Sequence, residues 1–179
     1  MTVVIWITEG TWQATVDAAR VYAPATADLV LLHVVSADVS EAVHGSFAGL
    51  LGRDRPGRDP GSQVEAISRV AAAALLDDAA ARLGRPVSRL PRRGRVEREV
   101  VLAADGAELL ICARDGDRAH LGPRSLGPAT RFVIDHAPCP VLLVWPGQAP
   151  GADSLPPPPP RPGRHPHKHP PPHPPEPPA

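Results

Sequence analysis

The residues best placed to do chemistry lie in one stretch, ARDGDRAHLGPRSLGP, from Ala113 to Pro128. Gly116, Gly122 and Gly127 leave its backbone free to turn tightly and to aim several N–H groups at one point. Arg114, Arg118 and Arg124 add cationic forks that bond phosphate oxygens in pairs. Ser125 and Thr130 add hydroxyls. Such a set ahead of a helix suits an anion, a phosphate above all. Two prolines work against it. Pro128 has neither a hydroxyl nor an N–H where the following helix opens, and Pro123 limits how the loop wraps. A lost charge-assisted bond costs about 1.5–3 kcal/mol, tenfold or more in affinity. The other use of the same residues is a compact connection whose arginines pair with Asp115 and Asp117 at the surface.

Other constellations carry less. His165, His167, His169 and His173 cluster near the C-terminus, where imidazoles take up Ni, Cu or Zn adventitiously, without a preset geometry. His33 reads as a hydrogen-bonded core residue, His136 as a helix-end residue favoured by the dipole. Cys112 and Cys139 sit beside apolar runs and read as buried thiols in a reducing compartment. No G-x-S-x-G nucleophile elbow occurs, so no catalytic residue is assigned.

The loop must be held by the elements around it. Val3 to Ile7 is an unbroken apolar run, read as buried strand one, ending at Thr8-Glu9-Gly10-Thr11. Trp12, Val16, Ala19 and Ala23 share one helical face, and Pro24 ends that helix. Leu29 to Val35 is strand two; a run without alternation points to a sheet covered on both faces. Residues 36–62 are dense in turn formers and charge, with room for a short helix within 38–51. Gln63 to Leu83 reads as a helix with Val64, Ile67, Ala71, Ala74 and Leu75 inward. Val87 to Leu90 is a weak strand three, and 95–104 a short helix. Leu109 to Ala113 is strand four, directly before the glycine-rich loop. A helix over 128–137 and strand five over 141–145 complete the order. This alternation predicts crossover units and a parallel sheet, with a ligand crevice beyond the carboxyl ends of the strands.

Residues 1–145 form the expected domain. Residues 146–179 hold 16 of the 25 prolines and half of the eight histidines, a composition that favours extended polyproline conformations over a fold. The formal net charge is zero, so nothing draws the chain to nucleic acid or anionic membrane. The N-terminus lacks a leader pattern and no segment approaches about 20 apolar residues, which places the protein in the cytoplasm.

The turn TEGT, the strand ADLVLLHVV and the stretch LLICARDGDRAHLGPRSLGPATRFVIDHAPCPVLLVWP together resemble the universal stress protein (UspA-like) family over residues 3–145. The resemblance implies an open five-stranded parallel sheet with helices on both faces, Rossmann-like and of the adenine nucleotide alpha hydrolase type, usually dimeric. A branch of the family binds ATP through a glycine, two residues, a glycine, nine residues, then glycine and serine or threonine. Here Ala113 holds the first glycine position and Gly116 the second. Gly127 matches the third with ten residues intervening, and Pro128 replaces the hydroxyl residue, so the motif is degenerate. The resemblance also implies that Glu9, beside Gly10 and Thr11, meets the adenosine part. Val35 completes the candidate nucleotide set of Glu9, Gly10, Thr11, Ala113, Arg114, Gly116, Gly122, Ser125, Gly127 and Thr130, with Mg as companion of any ATP.

Three functions follow. One is a stress-related regulator or sensor holding an adenine nucleotide, at most a slow ATP hydrolase since no general base is evident. Another is a nucleotide-free dimeric adaptor with a protein partner. The third is a nucleotidyl- or phosphate-transfer enzyme using Glu9, Asp115 and Asp117. Strand five, VLLVW, is an apolar edge, and pairing with a second copy would cover it and bury Trp145. The tail's PPPPPRP run adds a docking segment for an aromatic groove.

Overall fold

The computed structural model describes residues 1–37, 60–155 and 157. The elements are β1 (Thr2–Trp6), α1 (Trp12–Tyr22), β2 (Asp28–Ser36), α2 (Pro60–Leu83), β3 (Ser88–Gly94), α3 (Val96–Ala103), β4 (Leu109–Ala113), α4 (Pro128–His136) and β5 (Val141–Val144). Short 3-10 turns occupy Pro123–Ser125 and Ala152–Ser154. The five strands form one sheet in the order β3-β2-β1-β4-β5, and every pairing is parallel. The expected fold class is what the chain adopts.

The sheet is apolar on both sides, as the unbroken strand sequences require. Val3, Ile5, Ile7, Leu29, Leu31 and Ile111 face one way, against Val16, Ala19, Leu76, Ala79 and Leu83 of α1 and α2. Val4, Trp6, Leu32, Val34, Leu110 and Cys112 face the other, against Val100 of α3 and Val133 of α4. Chain order moves left from β1 to β2 and right from β4 to β5. The strand order therefore reverses between β1 and β4, and the carboxyl ends at such a reversal are where sheets of this type place a ligand.

Several local readings are corrected. Strand three runs over Ser88–Gly94, later and longer than the expected 87–90, with seven residues paired to β2. Its arginines hide it from apolar pattern: Arg89 pairs with Asp77 at 2.8 Å and Arg93 with Glu65 at 2.7 Å, both on α2. Pro91 is tolerated because β3 is an edge strand. Helix α2 starts at Pro60, and its buried stripe is Ala72, Leu76, Ala79 and Leu83. Ile67, Ala71 and Ala74, expected inward, are exposed. The short helix read within 38–51 lies outside the described residues.

Candidate functional site

The turn after β1 is built on one acceptor. The Thr8 carbonyl takes the N–H groups of Thr11 and Trp12 at 3.1 and 3.0 Å. Gly10 makes the reversal at φ 77°, a region where a side chain is strained. Thr11 is buried, whereas Glu9 is exposed at the lip. His33 of β2 lies beneath, its Nδ1 2.8 Å from the Ile7 carbonyl oxygen. That carbonyl can only accept, so Nδ1 carries the proton. The core reading of His33 agrees with this bond.

The loop after β4 folds on itself. The Gly116 N–H bonds the Ser125 carbonyl at 3.0 Å and the Asp117 N–H bonds the Arg124 carbonyl at 2.9 Å. Two arms therefore run side by side, closely enough to explain the glycine. A Cβ on Gly116 would overlap the Arg124 carbonyl oxygen and stand 2.8 Å from the Ser125 carbonyl carbon. Ser125 and Leu126 turn back onto the carbonyls of Gly122 and Pro123 at 3.2 Å each. Gly122 permits this with φ 123°.

The polar side chains serve the same closure. Ser125 is fully buried; its hydroxyl donates to the Gly122 carbonyl at 2.6 Å and accepts from the Arg114 guanidinium. Arg114 also lies over the Trp145 ring, 4.8 Å from its centroid, a cation–π contact. Trp145 stands one residue beyond β5, so its face has an intramolecular partner and is not simply an open strand end. Arg131 donates to the Pro123 carbonyl at 2.6 Å. Arg118 reaches the Gly10 carbonyl at 3.4 Å and bridges the two turns.

The carboxylates take backbone donors rather than arginines. Asp115 accepts the Gly127 N–H at 2.7 Å, directly ahead of α4. Asp117 accepts the Ala119 N–H at 2.8 Å and lies 3.2 Å from His120. The Ala119 bond first, then His120, holds the Asp117 carboxyl below its ordinary range. Below the loop, burial, reinforced by the Asp115 charge, pushes the Cys112 thiol up to about 12. Cys112 is thus a neutral packing residue at physiological pH.

The turn after β1 carries Glu9, Gly10 and Thr11, and the end of β4 with the loop after it carries Ala113, Arg114, Gly116, Gly122, Ser125 and Gly127; the Arg118–Gly10 bond joins the two segments. Thr130 is buried in the first turn of α4. Val35 is set apart: it pairs with Arg93 and lines a groove of about 470 Å³ between α2 and β3. The sequence reading missed three contributors, Asp115 as a backbone acceptor, Arg131, and Ser154 beyond β5. The partners described above are 8 to 33 residues away along the chain, so spacing gives no signal for them.

In this closed arrangement six amides that could face a phosphate are already taken, those of Gly116, Asp117, Ala119, Ser125, Leu126 and Gly127. A carboxylate stands where a phosphate would approach α4, and Pro128 removes one of that helix's first N–H groups. Among the described residues, no group of three or more His, Cys, Asp or Glu side chains is placed to hold a metal ion. No described helix is long and apolar enough to cross a membrane.

Comparison with known proteins adds the family. The model of the universal stress protein family matches residues 3–144. A hypothetical protein whose biochemical function was assigned from its structure superposes with a TM-score of 0.61, at 18% identity, covering 83% of this chain and 97% of its own. A universal stress protein in complex with cAMP gives 0.56 at 18% identity, over 82% and 98%. Universal stress protein UspA from Lactobacillus plantarum gives 0.51 at 17%, over 80% and 97%. At these identities the structures establish the fold. No curated protein matches the sequence.

Proposed function

This chain belongs to the universal stress protein family, and from that membership we propose that it is a dimeric regulatory module that works without a tightly held adenine nucleotide. The fold is consistent with a nucleotide-binding regulatory role. What favours nucleotide independence is one observation: the loop that would receive phosphate is closed on its own Asp115 carboxylate, 2.7 Å from the Gly127 amide. An incoming phosphate would have to displace that charge and break the Gly116–Ser125 and Asp117–Arg124 bonds before gaining any of its own. Surfaces, rather than a chemical step, then carry the function, and the open edge of β5 is the surface proposed for a second copy.

A second reading keeps an adenine nucleotide as an occasional ligand. It rests on the crevice lying where the strand order reverses, and on the cAMP complex of a protein that shares this fold. In that case the loop opens first, and affinity falls by the cost of opening. Native mass spectrometry of the full chain, purified without added nucleotide, separates the two. Nucleotide-free dimer is the expected species. A stoichiometric adenine nucleotide carried through purification refutes the first reading.

A further inference from the structure

The chain does not leave the domain at the end of β5. Pairing continues one residue further, with the Arg114 N–H on the Val144 carbonyl at 2.9 Å. The Trp145 ring then lies under Arg114. Gly147, at φ 120°, donates its N–H to the Trp145 carbonyl at 2.9 Å and reverses the path. The 3-10 turn Ala152–Ser154 closes with Ser154 N–H on the Gly151 carbonyl at 3.0 Å. Its hydroxyl donates to that same carbonyl at 2.6 Å and accepts the Leu121 N–H at 3.1 Å. The residues expected to begin a foldless tail thus return onto the β4–α4 loop, and Ser154 is partly buried there.

We propose that residues 145–154 form an intramolecular strap that holds the β4–α4 loop shut. The strap is attached at two points. At its start Trp145 stacks on Arg114, whose guanidinium also holds the buried Ser125 hydroxyl. At its end Ser154 takes the Leu121 amide, in the part of the loop between the paired arms. The first attachment fixes the base of the loop and the second its tip. The strap is autoinhibitory: it occupies a backbone donor of the loop and stabilises the closed loop against any anionic ligand. This deepens the functional reading above and rests on the closed loop described there.

Hydrogen exchange of the ligand-free full chain, read by mass spectrometry, tests the strap. Ser154→Ala removes the acceptor, and Ser154→Thr retains a hydroxyl. One net hydrogen bond corresponds to about fivefold in the opening equilibrium. The Ala variant is expected to exchange about fivefold faster over residues 116–126, with residues 29–35 and 109–113 unchanged. The Thr variant is expected to follow the parent chain. Unchanged loop exchange in the Ala variant, or equal acceleration of the core strands, overturns the strap. Because no nucleotide is present, that outcome is separate from the fate of the functional reading, which the nucleotide content of the purified protein decides.

Discussion

Asp115 Oδ1 accepts the Gly127 amide at 2.7 Å, tying the loop's first arm to the start of α4 with a negative charge. A carboxylate beside a helix N-terminus interacts favourably with its unpaired N–H groups and macrodipole. The same position is where an external phosphate would draw its binding energy. Asp115 therefore stabilises the closed loop and repels the anion that would open it.

Replacing Asp115 with Ala separates those two effects. The variant is expected to lose about 1 kcal/mol of stability. In a thermal melt that is a fall of about 2–4 °C for a domain of this size. The same variant should gain affinity for inorganic phosphate and Mg-ATP, seen as a larger ligand-induced rise in melting temperature than the parent shows. Equal responses of the two proteins would remove Asp115 from the account.

Gly116 makes a different prediction. Its missing Cβ is what lets the two arms meet, since that atom would overlap the Arg124 carbonyl oxygen. Backbone cannot yield there as a flexible side chain would. Gly116→Ala should cost about 1–3 kcal/mol, as overpacking does, in urea unfolding of the full chain. A ligand-cradling glycine would instead leave the stability of the free protein nearly unchanged.

The fold was largely legible in the sequence. Each strand buried on both faces appeared as an apolar run, and Pro24 and Pro128 marked helix ends. Two readings failed for physical reasons. β3 was placed but cut short at Leu90, because its second half is an edge segment with Arg93 in an ion pair and little apolar signal. α2 is alanine-rich around much of its circumference, so spacing could not tell the Ala72–Leu76–Ala79 stripe from the Ile67–Ala71–Ala74 one. In the loop, the glycines and arginines were legible, but the sequence left two uses open, an anion cradle and a compact connection. Whether Gly116 frees its amide for a ligand or for Ser125 depends on the return path of the chain from Gly122. The same three-dimensional fact hides Ser154.

Acid tests the packing of α1 on α2. Arg82 donates to both Asp17 carboxylate oxygens, at 2.9 and 2.7 Å, and that bond holds the Asp17 carboxyl below its ordinary range. A depressed carboxyl contributes stability above its unfolded-state value, about 3.9, and loses it as pH falls through the folded one. Asp17→Asn should therefore melt below the parent at pH 7. The two curves should converge below about pH 4. A gap that persists undiminished at pH 3 would show that the contact acts through packing alone.

Assembly has its own test at β5. The carbonyls of Pro140 and Val144 point inward to Leu110 and Arg114. In a parallel ladder alternate residues face opposite sides, so Val141 and Leu143 present their backbone groups to the open edge. Leu143→Pro removes an outward donor without removing an inward one. Light scattering should give the parent about twice the chain mass of 18.9 kDa and the variant a single mass. A parent that is monomeric at tens of micromolar, or a variant that stays dimeric, rules out this edge.

The nucleotide independence of the closed loop is tested most directly by titration calorimetry of Mg-ATP into the full-length protein. No saturable heat is expected at nucleotide concentrations up to about a millimolar, a free-energy limit of about −4 kcal/mol. Saturable binding in the micromolar range, weakened by altering Arg114, would contradict it.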